Sequence, residues 1–178
     1  MGEGPIKKIE AEAGLLEQIE LAVPGFSGYK NKELRREADR LVRDFLSRQI
    51  KQSKGNLRDV YGWLIRRGAR SSSGRIDGLI ARLDRVSSEI DHASSGYSGF
   101  FDAVKVREED LDSMLNFDLR LVELMKDLVS RTEEFRKIAR DAPDKAIGEW
   151  VENLESTIRV IQDAFNERSD AIKGVNLR

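Results

Sequence analysis

Ile76, Leu79, Leu83, Val86, Ile90 and Ala93 follow one another at intervals of three and four residues. That spacing puts every apolar side chain of the stretch in one narrow stripe of an α-helix, the seam a helix needs when it packs along a partner. A strand would need alternation by two, and no segment of the chain shows it. The same helical period recurs on both sides of this stretch, so an all-α fold is expected: an antiparallel bundle of about five helices with coiled-coil-like seams.

The first helix is expected over about Ile6 to Ala22, with Ile9, Ala13, Leu16, Ile19 and Val23 on one side. Pro24 and Gly25 end it, because proline disfavours helix in its neighbour and glycine admits the turn. A long second helix starts near Asn31 and reaches Arg67. Its stripe through Leu34, Ala38, Leu41, Phe45 and Gln52 loses phase around Lys51–Asn56, and Leu57, Val60 and Leu64 restart it about a quarter turn away. A kink or break near Gly55 is therefore expected, with a continuous bent helix as the alternative. Gly68–Gly74 (GARSSSG) has loop composition, so the third helix is placed at Arg75–Ala93. The fourth, also long, begins in REEDLDSML, whose acidic residues suit the positive end of a helix dipole. It carries Met114, Leu121, Met125, Leu128, Phe135 and Ala139. DAPD, Asp141–Asp144, separates it from the fifth, marked by Ile147, Val151, Leu154, Ile158, Ile161 and Phe165. A single domain over residues 1–178 is expected, with sub-boundaries near 53–56 or 68–74.

Composition narrows the chemistry. The chain has no Cys and one His, so thiol chemistry, disulfides and multi-histidine metal centres are excluded. No apolar run approaches the roughly 20 residues that cross a bilayer. The start lacks the apolar core of a signal peptide, and position 6 lacks the Ser or Thr of a myristoylation signal. A cytoplasmic protein without a cofactor is expected. The many Arg and Glu, with few Gln, are thermophile-like.

The net charge of −1 conceals a polarity: residues 30–85 carry sixteen basic and seven acidic side chains, residues 86–178 thirteen and twenty. On the second helix Arg36, Arg40, Arg43, Lys51, Lys54 and Arg58 fall within a sector of about 80°, along about 33 Å if the helix is straight. Such a stripe suits phosphates of nucleic acid or anionic lipid. It is equally the pattern of a solvated face, or of one that meets the acidic fourth and fifth helices. The interleaved acids Glu33, Glu37, Asp39 and Asp44, and the lack of aromatics for stacking, favour that plainer account.

Two short tracts stand out. GFSGY (Gly25, Phe26, Ser27, Gly28, Tyr29) returns 71 positions later as GYSGF (Gly96, Tyr97, Ser98, Gly99, Phe100), followed by Phe101. Glycine admits positive φ and close backbone approach, and the rings can insert between helices. An aromatic cap at one end of the bundle is expected, and a ligand pocket at the same place is compatible with it. The repetition also points weakly to an internal duplication.

Asp118 occupies a stripe position that wants an apolar residue. Buried there, it requires a partner such as an Arg; an enzyme would use it, with His92, in acid–base work. Asp102, Glu108, Glu109, Asp110 and Asp112 could ligate Mg²⁺ or Ca²⁺, although acidity at a helix start accounts for the cluster without a metal.

The tracts GFSGYKNKELRREADRLVRDFLSRQ and GYSGFFDAVKVREEDLDSMLNFD resemble those of a family of uncharacterised prokaryotic helical proteins, over about a third of the chain. The resemblance implies a prokaryotic, intracellular helical protein and supplies no catalytic residue. The leading expectation is a non-enzymatic protein-interaction or scaffold module, with a protein partner or self-association. An anionic-surface binder using the basic stripe, and an enzyme with a pocket at the glycine–aromatic loops, are the alternatives.

Overall fold

The computed structural model describes residues 5–29, 32–93 and 107–174. The fold is all-α, and among the described residues five helices pack on one another: α1 (Pro5–Ala22), α2 (Lys32–Arg66), α3 (Arg70–His92), α4 (Glu108–Ala139) and α5 (Asp144–Gly174). No strand occurs among the described residues. As expected, α2 and α4 are long, at 35 and 32 residues.

The chain divides into two compact units, both discontinuous in sequence. One comprises residues 1–45, 92–122 and 164–178, the other 46–91 and 123–163. The division therefore cuts α2 between Phe45 and Leu46, not at 53–56 or 68–74.

In the second unit α2 and α3 form an antiparallel hairpin, and so do α4 and α5. Contacts within a hairpin run in opposite chain directions: Ser47 donates to Asp91 at 3.0 Å, further along α2 Lys54 pairs with Asp84, and Phe135 stacks on Trp150 at 5.6 Å. Contacts between the hairpins run in the same direction. Asn56 meets Thr132 at 3.2 Å and Arg136 meets Asp59 at 3.3 Å, so α2 lies parallel to α4. Arg75 reaches Glu152 at 3.3 Å and Gln162 reaches Glu89 at 3.1 Å, so α3 lies parallel to α5.

The two hairpins share one burial pattern. Leu46, Ile50, Ser53, Leu57, Val60 and Leu64 of α2 are buried, and so are the residues 75 places later, Leu121, Met125, Leu128, Thr132, Phe135 and Ala139 of α4. The same shift takes Ser72, Ile76, Leu79, Leu83, Val86 and Ile90 of α3 onto Ile147, Val151, Leu154, Ile158, Ile161 and Phe165 of α5. Each buried Leu, Ile or Phe of this seam contributes about 1.5–3 kcal/mol relative to an exposed one.

Two expectations are corrected. Helix α2 passes through Gly55 without a break, the continuous alternative rather than the broken helix, because its stripe never loses phase. Ile50 and Ser53, at 1% and 0% exposure, carry the seam from Leu46 to Leu57, while Gln52 is exposed. Secondly, GARSSSG is mostly helix, since α3 begins at Arg70. Gly68 alone takes a positive φ (78°), which closes α2 as its amide and that of Ala69 bond back to Ile65 and Leu64. Ser72 and Ser73 are then buried in the first turn of α3, where their small side chains fit and Ser73 bonds the Arg70 carbonyl at 2.9 Å.

Gly55 is exposed, helical and open on its Cβ side, with nothing within 4 Å. Gly55→Ala is expected to stabilise the protein by about 0.4–1 kcal/mol, by restricting the unfolded chain and improving helix propensity. Thermal unfolding of the variant should show a higher midpoint; an unchanged or lower one would mean the helix is strained there.

Candidate functional site

The first glycine–aromatic tract follows α1 directly. Gly25 and Gly28 hold φ of 85° and 82°, conformations that side-chain-bearing residues rarely adopt. A Cβ on Gly28 would also stand 3.3 Å from Leu16 Cδ1. These two turns carry Phe26 and Tyr29 inward, 3% and 2% exposed, with their rings edge to face at 5.5 Å. Ser27 stays outside. This tract therefore is a cap on the core. The second tract, Gly96 to Phe101, lies outside the described residues, as does Asp102.

Tyr29 does more than fill space. Its hydroxyl donates to Asp118 Oδ2 at 2.5 Å and accepts from Arg168 Nη2 at 3.2 Å. Arg168 Nε donates to Asp118 Oδ1 at 2.6 Å, and its Nη2 also donates to Asp39 Oδ1 at 3.0 Å. The other oxygen of Asp39 accepts from Arg43 Nε at 2.8 Å, and the Tyr29 carbonyl accepts from Arg35 Nε at 3.2 Å. The network thus joins the end of the glycine tract, α2, α4 and α5, all within the first unit. Asp118 and Arg168 are 0% exposed and Asp39 1%. Arg168 Nη1 has no hydrogen-bond partner among the described residues.

Burial sets the electrostatics. It raises the carboxyl of Asp118, against the lowering pull of Arg168 and of the bonds from Tyr29 and Arg168. It raises the Tyr29 phenol strongly, and the negative charge of Asp118 adds to the effect. Burial also opposes the charge on Arg168, but Asp118, Tyr29 and Asp39 outweigh it and hold the guanidinium ionised. Both oxygens of Asp118 are committed to partners, as expected for a buried carboxylate that packing must satisfy.

Asp39 carries no signal in the sequence that sets it apart from its charged neighbours. Arg168 has the one that exposes Asp118, however: it stands on the α5 seam, three residues after Phe165 and four before Ile172, where an apolar residue belongs.

The other candidates do not join this site. His92 is exposed at the end of α3. Glu109 is exposed and Asp110 and Asp112 are half-buried in the first turns of α4; the side chain of Glu108 is outside the described set. Among the described residues no three of His, Asp and Glu group so as to hold a metal ion. Along the basic stripe Arg40 is bound to Glu37 at 2.7 Å, Arg43 is drawn inward to Asp39, and Lys54 pairs with Asp84. Arg36, Lys51 and Arg58 are exposed. No helix among the described residues is long and apolar enough to cross a membrane. No family model, curated protein or solved structure matches the chain.

Proposed function

We propose that the chain is a non-enzymatic helical module whose work is done by its outer surface, through a protein partner. One observation supports this above others: Asp118, the carboxylate best suited to acid–base work, is sealed in the core with both oxygens committed. A general acid or base needs hydrogen-bond reach to a substrate, and a group without solvent access lacks it. The basic stripe is a weaker candidate for an anion-binding ridge, because Arg40, Arg43 and Lys54 are engaged by acidic neighbours. What faces outward is a helical surface in which Leu21, Ile65, Ile138 and Val160 are exposed at 82%, 48%, 41% and 40%.

The test is cross-linking of the native protein in its own cell extract, with light scattering on the purified chain. A saturable partner, or a defined oligomer, is expected. A monomer that cross-links to nothing, or a turnover abolished by Asp118→Asn in a protein that still folds, would overturn the reading.

A further inference from the structure

The two hairpins present similar apolar seams, since twelve buried seam positions from Leu46 to Ile90 have a buried counterpart 75 residues on. Matched seams create a problem of pairing. A hairpin that packs on its neighbour in the same chain can bury nearly the same apolar surface on the equivalent hairpin of a second copy, and hydrophobic contact does not discriminate between them. The buried ionic cluster breaks this equivalence. Asp39 belongs to α2, Asp118 and Arg168 to α4 and α5, and the residues at their shifted positions are Met114, Arg43 and Ala93. The hairpin plan therefore accepts Met in place of Asp39 and Ala in place of Arg168. The cluster is an addition to the plan, confined to the first unit.

We propose that the Tyr29–Asp39–Asp118–Arg168 cluster is a pairing lock: it selects the stacking of an α2–α3 hairpin on an α4–α5 hairpin and disfavours the pairing of like hairpins from two copies. Arg168 makes its bonds to Asp118, Tyr29 and Asp39 together only when α5 and α4 meet both α2 and the glycine tract in the observed register. A like-with-like pairing of two α4–α5 hairpins supplies two Arg168 and two Asp118 but no Asp39 and no Tyr29. A pairing of two α2–α3 hairpins leaves Asp39 without its buried guanidinium. Each error strands ionised groups in the core, which is the best-attested way a buried polar set specifies register and partner. This inference does not depend on the surface reading above.

The test replaces the lock by apolar residues of similar volume, Tyr29→Phe, Asp39→Met, Asp118→Leu and Arg168→Met together. Tagged and untagged copies are either mixed as native proteins or refolded together from urea, and recovery of untagged chain on the tag is compared. The quadruple variant is expected to fold with wild-type helicity, and to yield mixed species after joint refolding but not after native mixing. The wild type should show no such gain on refolding. A variant that refolds to one species of wild-type mass, with no mixed species, overturns the proposal. Asp118→Leu/Arg168→Met, which keeps the Asp39–Arg43 pair, provides a milder version. If neither variant folds, the cluster holds the fold up rather than choosing its pairing, and the proposal is equally overturned.

Discussion

Arg168→Ala is expected to destabilise the protein by about 3–5 kcal/mol, measured as the change in unfolding free energy in urea. The reason lies in what remains. Asp118 loses the guanidinium on one oxygen, Asp39 loses it on one of its own, and neither carboxylate is open to water. A single domain holds about 5–15 kcal/mol in total, so the loss takes a large part of it. An exposed pair gives the contrast: Arg131 and Asp127 are separated by 2.6 Å but are each 45% exposed. Arg131→Ala should cost at most about 1 kcal/mol. If the two substitutions cost the same, the buried network is not an energetic unit and the burial of Arg168 must be relieved by water. The large single-site cost is compatible with a small cost for replacing the whole cluster, because an apolar replacement leaves no charge stranded.

Much of the architecture was legible because helices that pack on one another must show a period of three and four, and α3, α4 and α5 do. The second helix misled where a polar residue occupied the seam. Ser53 is 0% exposed, but a serine between Gln52 and Lys54 breaks the apolar stripe on paper, and the helix looks broken where it is continuous. GARSSSG misled for a related reason: loop composition and a first helical turn packed with small side chains are the same letters. At the site, Asp118 was visible as a charge on an apolar stripe. Its partners were not, because Tyr29 and Arg168 lie 89 and 50 residues away and periodicity within one helix cannot pair residues across four segments. Asp39 was harder still, since in a stretch as charged as RREADRLVRD a buried aspartate looks like another solvated one. The two glycine tracts stand 71 residues apart, whereas the matched seam positions of the two hairpins are 75 apart, so the tracts and the seams do not share one repeat.

Raising the pH above about 10 should weaken the fold through Tyr29. The phenol is raised well above its ordinary value by burial first and by Asp118 second, so the folded chain resists an ionisation that the unfolded chain permits. The sign follows: below the unfolded value both states keep the proton and the contribution is complete. Above it the unfolded state loses the proton first, and stability falls by about 1.4 kcal/mol per pH unit until the folded phenol ionises as well. Asp118 cannot supply an acid limb of the usual kind, because its carboxyl is raised by burial. A carboxyl so shifted contributes fully at low pH and loses that contribution as pH rises through its folded value, the reverse of a surface salt bridge. The measurement is urea unfolding across the alkaline range, with phenolate absorbance followed in parallel. Wild-type protein should release one of its three tyrosine protons only together with loss of helicity. Tyr29→Phe should unfold more easily at neutral pH, by about 1–3 kcal/mol for the polar partners it strands, yet lose less stability than wild type between neutral and alkaline pH. Parallel alkaline slopes in the two proteins would place the ionising group elsewhere and remove Tyr29 from the network's energetics.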